Sequence, residues 1–147
     1  MLKKNYPASG FTLVELVVIL VIIGVLAVAA LPRFVDQTQF EARGFHDETL
    51  SLLRYAQKAA VAQRRTVCVA LGSTGVSLTI AGVPASTVCD TSLVLPSTPR
   101  GGTGLTSSVA SFKYTGLGGT DQGENVTVSI SGGGSGITVD AVTGYVN

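Results

Sequence analysis

The sequence has few of the residue types on which catalytic sites depend. Among its 147 residues there are one histidine and two cysteines, and charged residues make up only 13%. The histidine, His46, lies beside Asp47 on a predicted helix, where a solvated surface role is more common than that of a catalytic base. No serine stands in an elbow motif that could pair with it. The sequence therefore disfavours an enzyme.

Motifs for metals and nucleotides are also missing. Cys68 and Cys89 are 21 positions apart, a spacing that fits neither a zinc site nor a CxxC redox motif. The glycine-rich stretch at residues 132–136 lacks the lysine and the helix of a phosphate loop. Residues 121–125 could in principle offer oxygen ligands to calcium, but the ligands are sparse. We expect no metal and no cofactor.

Positive charge is scarce in the second half of the chain. After the pair Arg64-Arg65, two residues are basic, Arg100 and Lys113. The same region contains four acidic residues: Asp90, Asp121, Glu124 and Asp140. This is a poor electrostatic footprint for a polyanion, so the sequence disfavours a nucleic-acid partner.

One long apolar run dominates what is present. Residues 11–31 contain a single ionisable residue, Glu15. As a helix this run is about 31 Å long, close to the roughly 30 Å of a bilayer's hydrocarbon core. Lys3 and Lys4 precede it without an acidic neighbour, which predicts a cytoplasmic N-terminus, although Arg33 opposes that bias. We predict a single-pass transmembrane helix at residues 11–32, with a kink at Pro32.

The N-terminal segment has two interpretations. A secretory signal would be cut after the apolar run, at Ala27-Val28-Ala29, and would release a soluble periplasmic domain. Glu15 argues against that interpretation, because a carboxylate within the apolar run costs about 2.5–3.5 kcal/mol on insertion scales. Such a residue either reaches the membrane interface without a partner or is paired with another charge.

The sequence Gly10-Phe11-Thr12-Leu13-Val14-Glu15-Leu16 resembles the processing motif of type IV prepilins and of type II secretion pseudopilins. The resemblance continues through the apolar helix to Leu31-Pro32. It implies that a prepilin peptidase removes residues 1–10 by cutting between Gly10 and Phe11, and then methylates the new Phe11 amine.

Looser resemblances lie further along the chain. Residues 52–57, the predicted strand at 66–71 and the closing residues 143–146 are similar to the H-type pseudopilins and their minor-pilin relatives, including those of haemagglutinin pili. This similarity implies a structural subunit that an inner-membrane assembly platform builds into a helical filament. The filament could be a type IV pilus or a secretion pseudopilus. A minor pilin for DNA uptake is an alternative, which would need a basic patch.

The chemistry of Glu15 agrees with assembly. Cleavage creates an amine at Phe11, four residues before the carboxylate, at the apolar end of the helix. Neither charge is easily carried alone in lipid. Pairing Glu15 of one subunit with the Phe11 amine of a neighbouring pilin subunit would neutralise both charges and set the axial stagger between subunits.

Periodicity divides the rest into two parts. Residues 33–65 form a predicted amphipathic continuation of the helix, with a stripe at three- or four-residue spacing: Ala42, Phe45, Thr49, Leu52, Ala56, Ala59 and Gln63, widened by Leu53 and Ala60. Residues 66–147 form a β-rich periplasmic region with strands at 66–71, 76–80, 111–115, 126–130, 137–139 and 145–146. We predict an α+β fold, with the long helix packed on a small antiparallel sheet.

The two cysteines lie in this external region, where an oxidising compartment permits a disulfide. Cys68 is in the first predicted strand, and Cys89 is in a loop rich in proline and threonine. A bridge would pin the loop to the sheet and contribute roughly 3 kcal/mol by loop closure. A free, buried Cys68 is the alternative. Many pilins instead have a disulfide nearer the C-terminus.

Overall fold

The computed structural model describes residues 11–147, except for the side chains of residues 28–37 within its long helix. The chain divides into two compact units, one ending at Gln37 and one spanning Thr38–Asn147. We call the second unit the head.

Helix α1 spans Leu13–Gln63. The sequence predicted a helix to residue 65, and the observed end at Gln63 has a local cause. Arg64 has φ 50°, the left-handed conformation that ends many helices. The Arg64 N–H donates to the Val61 carbonyl and the Arg65 N–H to the Ala60 carbonyl, the pair of bonds of a Schellman motif. These bonds satisfy helix-end carbonyls and turn the chain toward the first strand.

Within the head, α1 buries the face that the sequence predicted. Its buried residues are Phe45, Thr49, Leu52, Leu53, Ala56, Ala59 and Ala60. At the two ends of the stripe, Ala42 is half-buried and Gln63 is exposed. Two small residues, Ala56 and Ala60, are fully buried, so the helix backbone lies close to the sheet.

The head has seven strands in two antiparallel sheets. They are β1 Val67–Gly72, β2 Gly75–Ile80, β3 Thr91–Ser92, β4 Leu105–Ser107, β5 Ser111–Tyr114, β6 Val126–Ile130 and β7 Ile137–Val139. One sheet has the order β3-β2-β1-β5 and the other β4-β6-β7. Strands β1 and β2 form a hairpin whose end pair is Gly72 and Gly75, as the turn residues predicted.

The fold class is confirmed, and three details of the sheet differ from expectation. The strands form two sheets instead of one, β3 and β4 were not predicted, and the closing segment 145–146 contributes an isolated bridge between Val146 and Val139. Strand β3, with two residues, is too short to show a period-2 pattern. Both sheets and the helix share one apolar core, in which Leu53, Val67 and Val128 are fully buried.

Within the residues that the structure describes, no helix is both long enough and apolar enough to cross a membrane. The predicted span at 11–32 and the predicted kink at Pro32 fall partly on residues 28–37, whose side chains lie outside the described set. Both stay predictions.

Candidate functional site: the start of the helix and the surface of the head

The N-terminal motif forms a helix start with a defined cap. Thr12 precedes α1, and its Oγ1 accepts a hydrogen bond from the Glu15 N–H at 3.2 Å. The Thr12 carbonyl accepts the first helical bond, from the Leu16 N–H at 3.2 Å. Thr12-x-x-Glu15 is the pattern of a capping box, a signal that the sequence interpretation overlooked. A carboxylate in the first helical turn also interacts favourably with the helix dipole.

Apolar side chains surround Glu15 and are exposed on every side. The large ones from Phe11 to Leu26 are all between 41% and 78% exposed in the single chain. A solvated helix of a soluble domain instead hides an apolar stripe against a core. This helix therefore presents a surface that requires other apolar groups around it.

Two predicted site residues fall wholly or partly outside the described part of the chain. Gly10, the predicted cleavage position, lies outside the described residues, and so does the side chain of Pro32. Phe11 is the first described residue and is 77% exposed. Processing at Gly10 and Phe11 and the assembly role of Glu15 stay predictions.

The disulfide is present between Cys68 and Cys89, whose Cα atoms are 6.1 Å apart. Cys68 is in β1, and Cys89 is in the loop that leads to β3. Asp90 closes the same loop, because its Oδ1 accepts bonds from the Gly82 N–H at 2.7 Å and from the Thr91 hydroxyl at 3.2 Å. The bond from the Gly82 backbone is the main reason that the pKa of Asp90 is lowered. The loop is thus tied down twice.

His46 is less solvated than the sequence predicted. Its side chain is 14% exposed, its Nδ1 lies 3.1 Å from an Asp47 carboxylate oxygen, and its Nε2 is buried without a protein hydrogen-bond partner among the described residues. The cause is the turn after β6, because a Cβ built on Gly133 would lie 3.2 Å from the His46 Cβ. The glycine lets the turn pack over the histidine, which no local pattern reveals.

The oxygen atoms near residues 121–125 serve the fold. Asp121 Oδ1 accepts bonds from the Lys113 N–H and the Gln122 amide, both at 2.8 Å, and Asn125 Oδ1 accepts one from the Ala141 N–H at 3.0 Å. Across the described part of the chain, no group of three or more histidine, cysteine, aspartate or glutamate residues could hold a metal ion.

Comparisons with known proteins agree with these features. Residues 7–31 match the family described as the prokaryotic N-terminal methylation motif. The chain is 42% identical over 60 residues, 41% of its length, to the type IV narrow pilus major component PilA5 of Thermus thermophilus. It spans about half, 52%, of the length of that relative.

Solved structures show a similar fold. A crystal structure of the type IV minor pilin FimU of Pseudomonas aeruginosa PAO1 aligns with a TM-score of 0.50 and 23% identity, covering 69% of this chain and 86% of that one. Another crystal form of the same protein aligns with a TM-score of 0.47 and 20% identity, covering 76% and 87%.

Proposed function

We propose, from the premise that the chain is type IV pilin-like, that it is a structural subunit of a type IV pilus. The observation that carries the proposal is the N-terminal helix: it matches the methylation motif and exposes its apolar side chains around one carboxylate. Two similar proteins are named as pilus components, a major component and a minor pilin. These names favour a pilus over a secretion pseudopilus.

Assembly in this proposal begins in the inner membrane, with the N-terminus cytoplasmic and the head periplasmic. Prepilin peptidase removes residues 1–10 and methylates Phe11, and an assembly platform extracts the subunit into the filament. There the exposed apolar side chains of α1 pack against the helices of other subunits. This packing replaces lipid contacts with protein contacts of similar polarity, so a polar group within the helix adds specificity to the packing.

Glu15 supplies that specificity by pairing with the Phe11 amine of a neighbouring subunit. An unpaired charge in a low-dielectric filament core is costly, and breaking a buried ion pair destabilises by about 3–5 kcal/mol. The capping box offers a competing structural role for Glu15, in which it only stabilises the helix start. The two roles predict different results for the same substitutions.

Processing is tested by the intact mass of protein extracted from membranes. We expect a chain that begins at Phe11 with one added methyl group. A chain that begins near Ala30 would instead indicate a cleaved secretory signal and would overturn the proposal. Quantifying the subunit in sheared filaments against the total pilin then separates a major from a minor component.

Assembly is tested by Glu15→Gln, because glutamine can occupy the third position of a capping box but has no charge. If Glu15 pairs with an amine, we expect Glu15→Gln to reduce the filament fraction about tenfold or more, since 1.4 kcal/mol is already a factor of ten. Thr12→Ala, which removes the cap and keeps the charge, should have a much smaller effect. Glu124→Gln is the matched control, because Glu124 is exposed in the head.

The opposite ranking would assign Glu15 to capping. Equal incorporation of the wild-type protein and all three variants into filaments would show that Glu15 does not direct assembly. Membrane levels of each variant, measured in the same cells, distinguish a loss of assembly from a loss of the protein.

A further inference from the structure

Charge is unevenly distributed along the part of α1 that belongs to the head. Toward its N-terminal end, Glu41, Asp47 and Glu48 outnumber Arg43. Toward its C-terminal end and just beyond it lie four basic residues and no acidic one: Arg54, Lys58, Arg64 and Arg65. The acidic and basic ends are far apart, because Phe45 and Val61 are separated by about 24 Å along the helix axis. The head thus has an acidic and a basic end along one axis.

A groove lies at the acidic end. It has a volume of about 940 Å³ and is formed by about three turns of α1, from Thr38 to Glu48, and the glycine-rich loop at residues 100–104. We call it the basal groove and define it by Phe40, Glu41, Phe45 and Glu48 together with that loop. Phe40 on its rim is 79% exposed, whereas Phe45 at its base is buried. Arg100 is the one basic residue in its lining.

The groove is held open by the loop's own anchoring. The Gly101 N–H donates to Glu48 Oε1 at 3.3 Å, and the Gly102 N–H donates to the Thr74 carbonyl at 3.0 Å. A Cβ on Gly102 would overlap the ring of Phe45, so the loop reaches this position only because the residue is glycine. The loop that forms the wall of the groove is therefore held in a defined position by hydrogen bonds and by packing.

Apolar residues project at the basic end. Leu117 is 97% exposed and Val142 is 85% exposed. Val61 of the helix lies against Gly118, the residue after Leu117, and the Val142 carbonyl lies against Gly119. We call Val61, Leu117 and Val142 the apical knob. Single exposed aliphatic residues are common, but three on adjoining segments form a patch.

The apical knob is rigidly supported. Gln57 Nε2 donates to the Gly118 carbonyl at 3.2 Å and to the Thr143 carbonyl at 2.9 Å, which ties both loops to the helix. The Gly118 N–H donates to the Thr115 carbonyl at 2.9 Å, which forms the turn that carries Leu117. Asp140 accepts bonds from the Val142 and Thr143 N–H groups at 3.1 and 2.8 Å. Leu117 and Val142 are thus displayed by fixed backbone.

The charges at both ends are available to another molecule. Among the described residues, Lys58, Arg64 and Arg65 pair with no carboxylate of the same chain, and neither does Arg100. Asp140 is the acidic residue of the knob loops, but its Oδ1 already accepts three hydrogen bonds. The basic end is therefore net positive, and the groove, with two carboxylates and one guanidinium, is net negative.

We propose that the apical knob of one subunit docks in the basal groove of a second copy of this chain, with the basic residues around the knob facing Glu41 and Glu48. The two surfaces are different, so the contact is heterologous and repeats without closing, as a helical filament requires. Charge complementarity sets the orientation, and Leu117 and Val142 supply the buried apolar area. This inference rests on the proposed filament function and adds a heterologous contact between the heads of identical subunits.

Cysteine cross-linking in assembled filaments tests the contact. The full-length double variant Phe40→Cys with Leu117→Cys is expressed in the producing cells and treated with a bifunctional maleimide, to which the bridged Cys68 and Cys89 are inert. We expect a ladder of dimers, trimers and larger species from the double variant, and no ladder from either single variant. Phe40→Cys with Val94→Cys is the matched control, because Val94 is also highly exposed.

A charge exchange provides a second measurement. Glu41→Arg and Arg64→Glu, each in the double-cysteine background, should reduce the ladder about 2- to 5-fold, and the combination should restore it. Arg64→Glu replaces one non-glycine residue with another at a position where φ is 50°, so the backbone strain there is unchanged. Failure of the combination to restore the ladder would exclude this charge pairing.

The outcomes separate this inference from the proposed function. Normal incorporation of the double-cysteine subunit into filaments without a ladder would overturn the docking contact and leave the filament function intact. Strong dimers from Leu117→Cys alone would also overturn it, because they indicate a symmetric contact between two knobs. Absence of the wild-type subunit from filaments would instead overturn the proposed function.

Discussion

The N-terminal part of α1 and the head use the same aliphatic residues with opposite results. Leu13 is 78% exposed at the start of the helix, whereas Leu53 of the same helix is completely buried. In the head, two sheets fold against α1 and form a closed core. From Leu13 to Leu26, every large apolar side chain is at least 41% exposed among the described residues. The head therefore has an apolar core of its own, whereas the apolar side chains of the N-terminal helix contribute to no such core.

The largest effect should come from opening the core of the head. Leu53→Ala removes a fully buried side chain, and we expect a loss of about 2–5 kcal/mol of unfolding free energy. Leu20→Ala, in the exposed part of the same helix, should leave head stability within about 0.5 kcal/mol. Pulse proteolysis in urea on the detergent-solubilised full chain measures both. Equal effects would mean that the two regions are not energetically separate.

Removing the disulfide should have the next largest effect. Replacing both Cys68 and Cys89 by serine removes the cross-link between two positions that are 21 residues apart. We expect the free energy of unfolding to fall by about 3 kcal/mol. The wild-type head treated with a reductant should unfold at the same urea concentration as the double variant. A wild-type midpoint that does not change on reduction would show that Asp90 and the sheet already hold this loop.

A glycine substitution tests whether the exposed loops are as well determined as the core. Gly144 has φ 68°, and a Cβ there would overlap the Gly118 carbonyl, so Gly144→Ala should cost at least about 1–2 kcal/mol. Gly123→Ala is the matched control, since nothing lies within 4 Å of its Cβ position. Similar urea midpoints for the two variants would mean that the loops can rearrange freely.

The smallest expected effect is the contribution of two aspartates to the loss of head stability at low pH. The pKa of Asp140 is lowered mainly by the bond from the Thr143 N–H, and that of Asp90 mainly by the bond from the Gly82 N–H. Their contributions are complete above the unfolded-state pKa of 3.8 and are lost as the pH falls through the lower native values. We expect the urea midpoint to drop as the pH falls below about 4, and to drop less in a variant with Asp90→Asn and Asp140→Asn. An identical drop would assign the acid sensitivity to other carboxylates.

Local patterns predicted the parts of the fold that local forces determine. The three- and four-residue spacing identified the buried face from Phe45 to Ala60, and alternation identified β6 and β7 at their observed bounds. Each of these elements buries one side along its whole length, so its pattern is uninterrupted. The apolar run placed the helix start at residue 11, two residues before the observed start at Leu13, because the capping role of Thr12 was not considered.

Features that depend on distant contacts were not predictable in this way. Whether β4 joins β6 or extends the first sheet is decided by pairing across more than twenty residues. The burial of His46 depends on a turn some ninety positions later, at Gly133. The basal groove and the apical knob likewise arise from loops that meet α1 only in the folded head. The glycines in these loops predict tight turns, but they do not predict which part of the chain each turn contacts in the folded head.

Tyr114 has a practical consequence for optical measurements. The chain has no tryptophan, so tyrosine dominates its near-ultraviolet absorption. Tyr114 is fully buried, with its ring edge-to-face with Phe112 at a centroid distance of 5.1 Å, and burial raises the pKa of its phenol. An ordinary phenol ionises near pH 10, whereas Tyr114 keeps its proton there as long as the head is folded. In an alkaline titration, a delayed increase in phenolate absorbance would therefore report the opening of the head, without any added label.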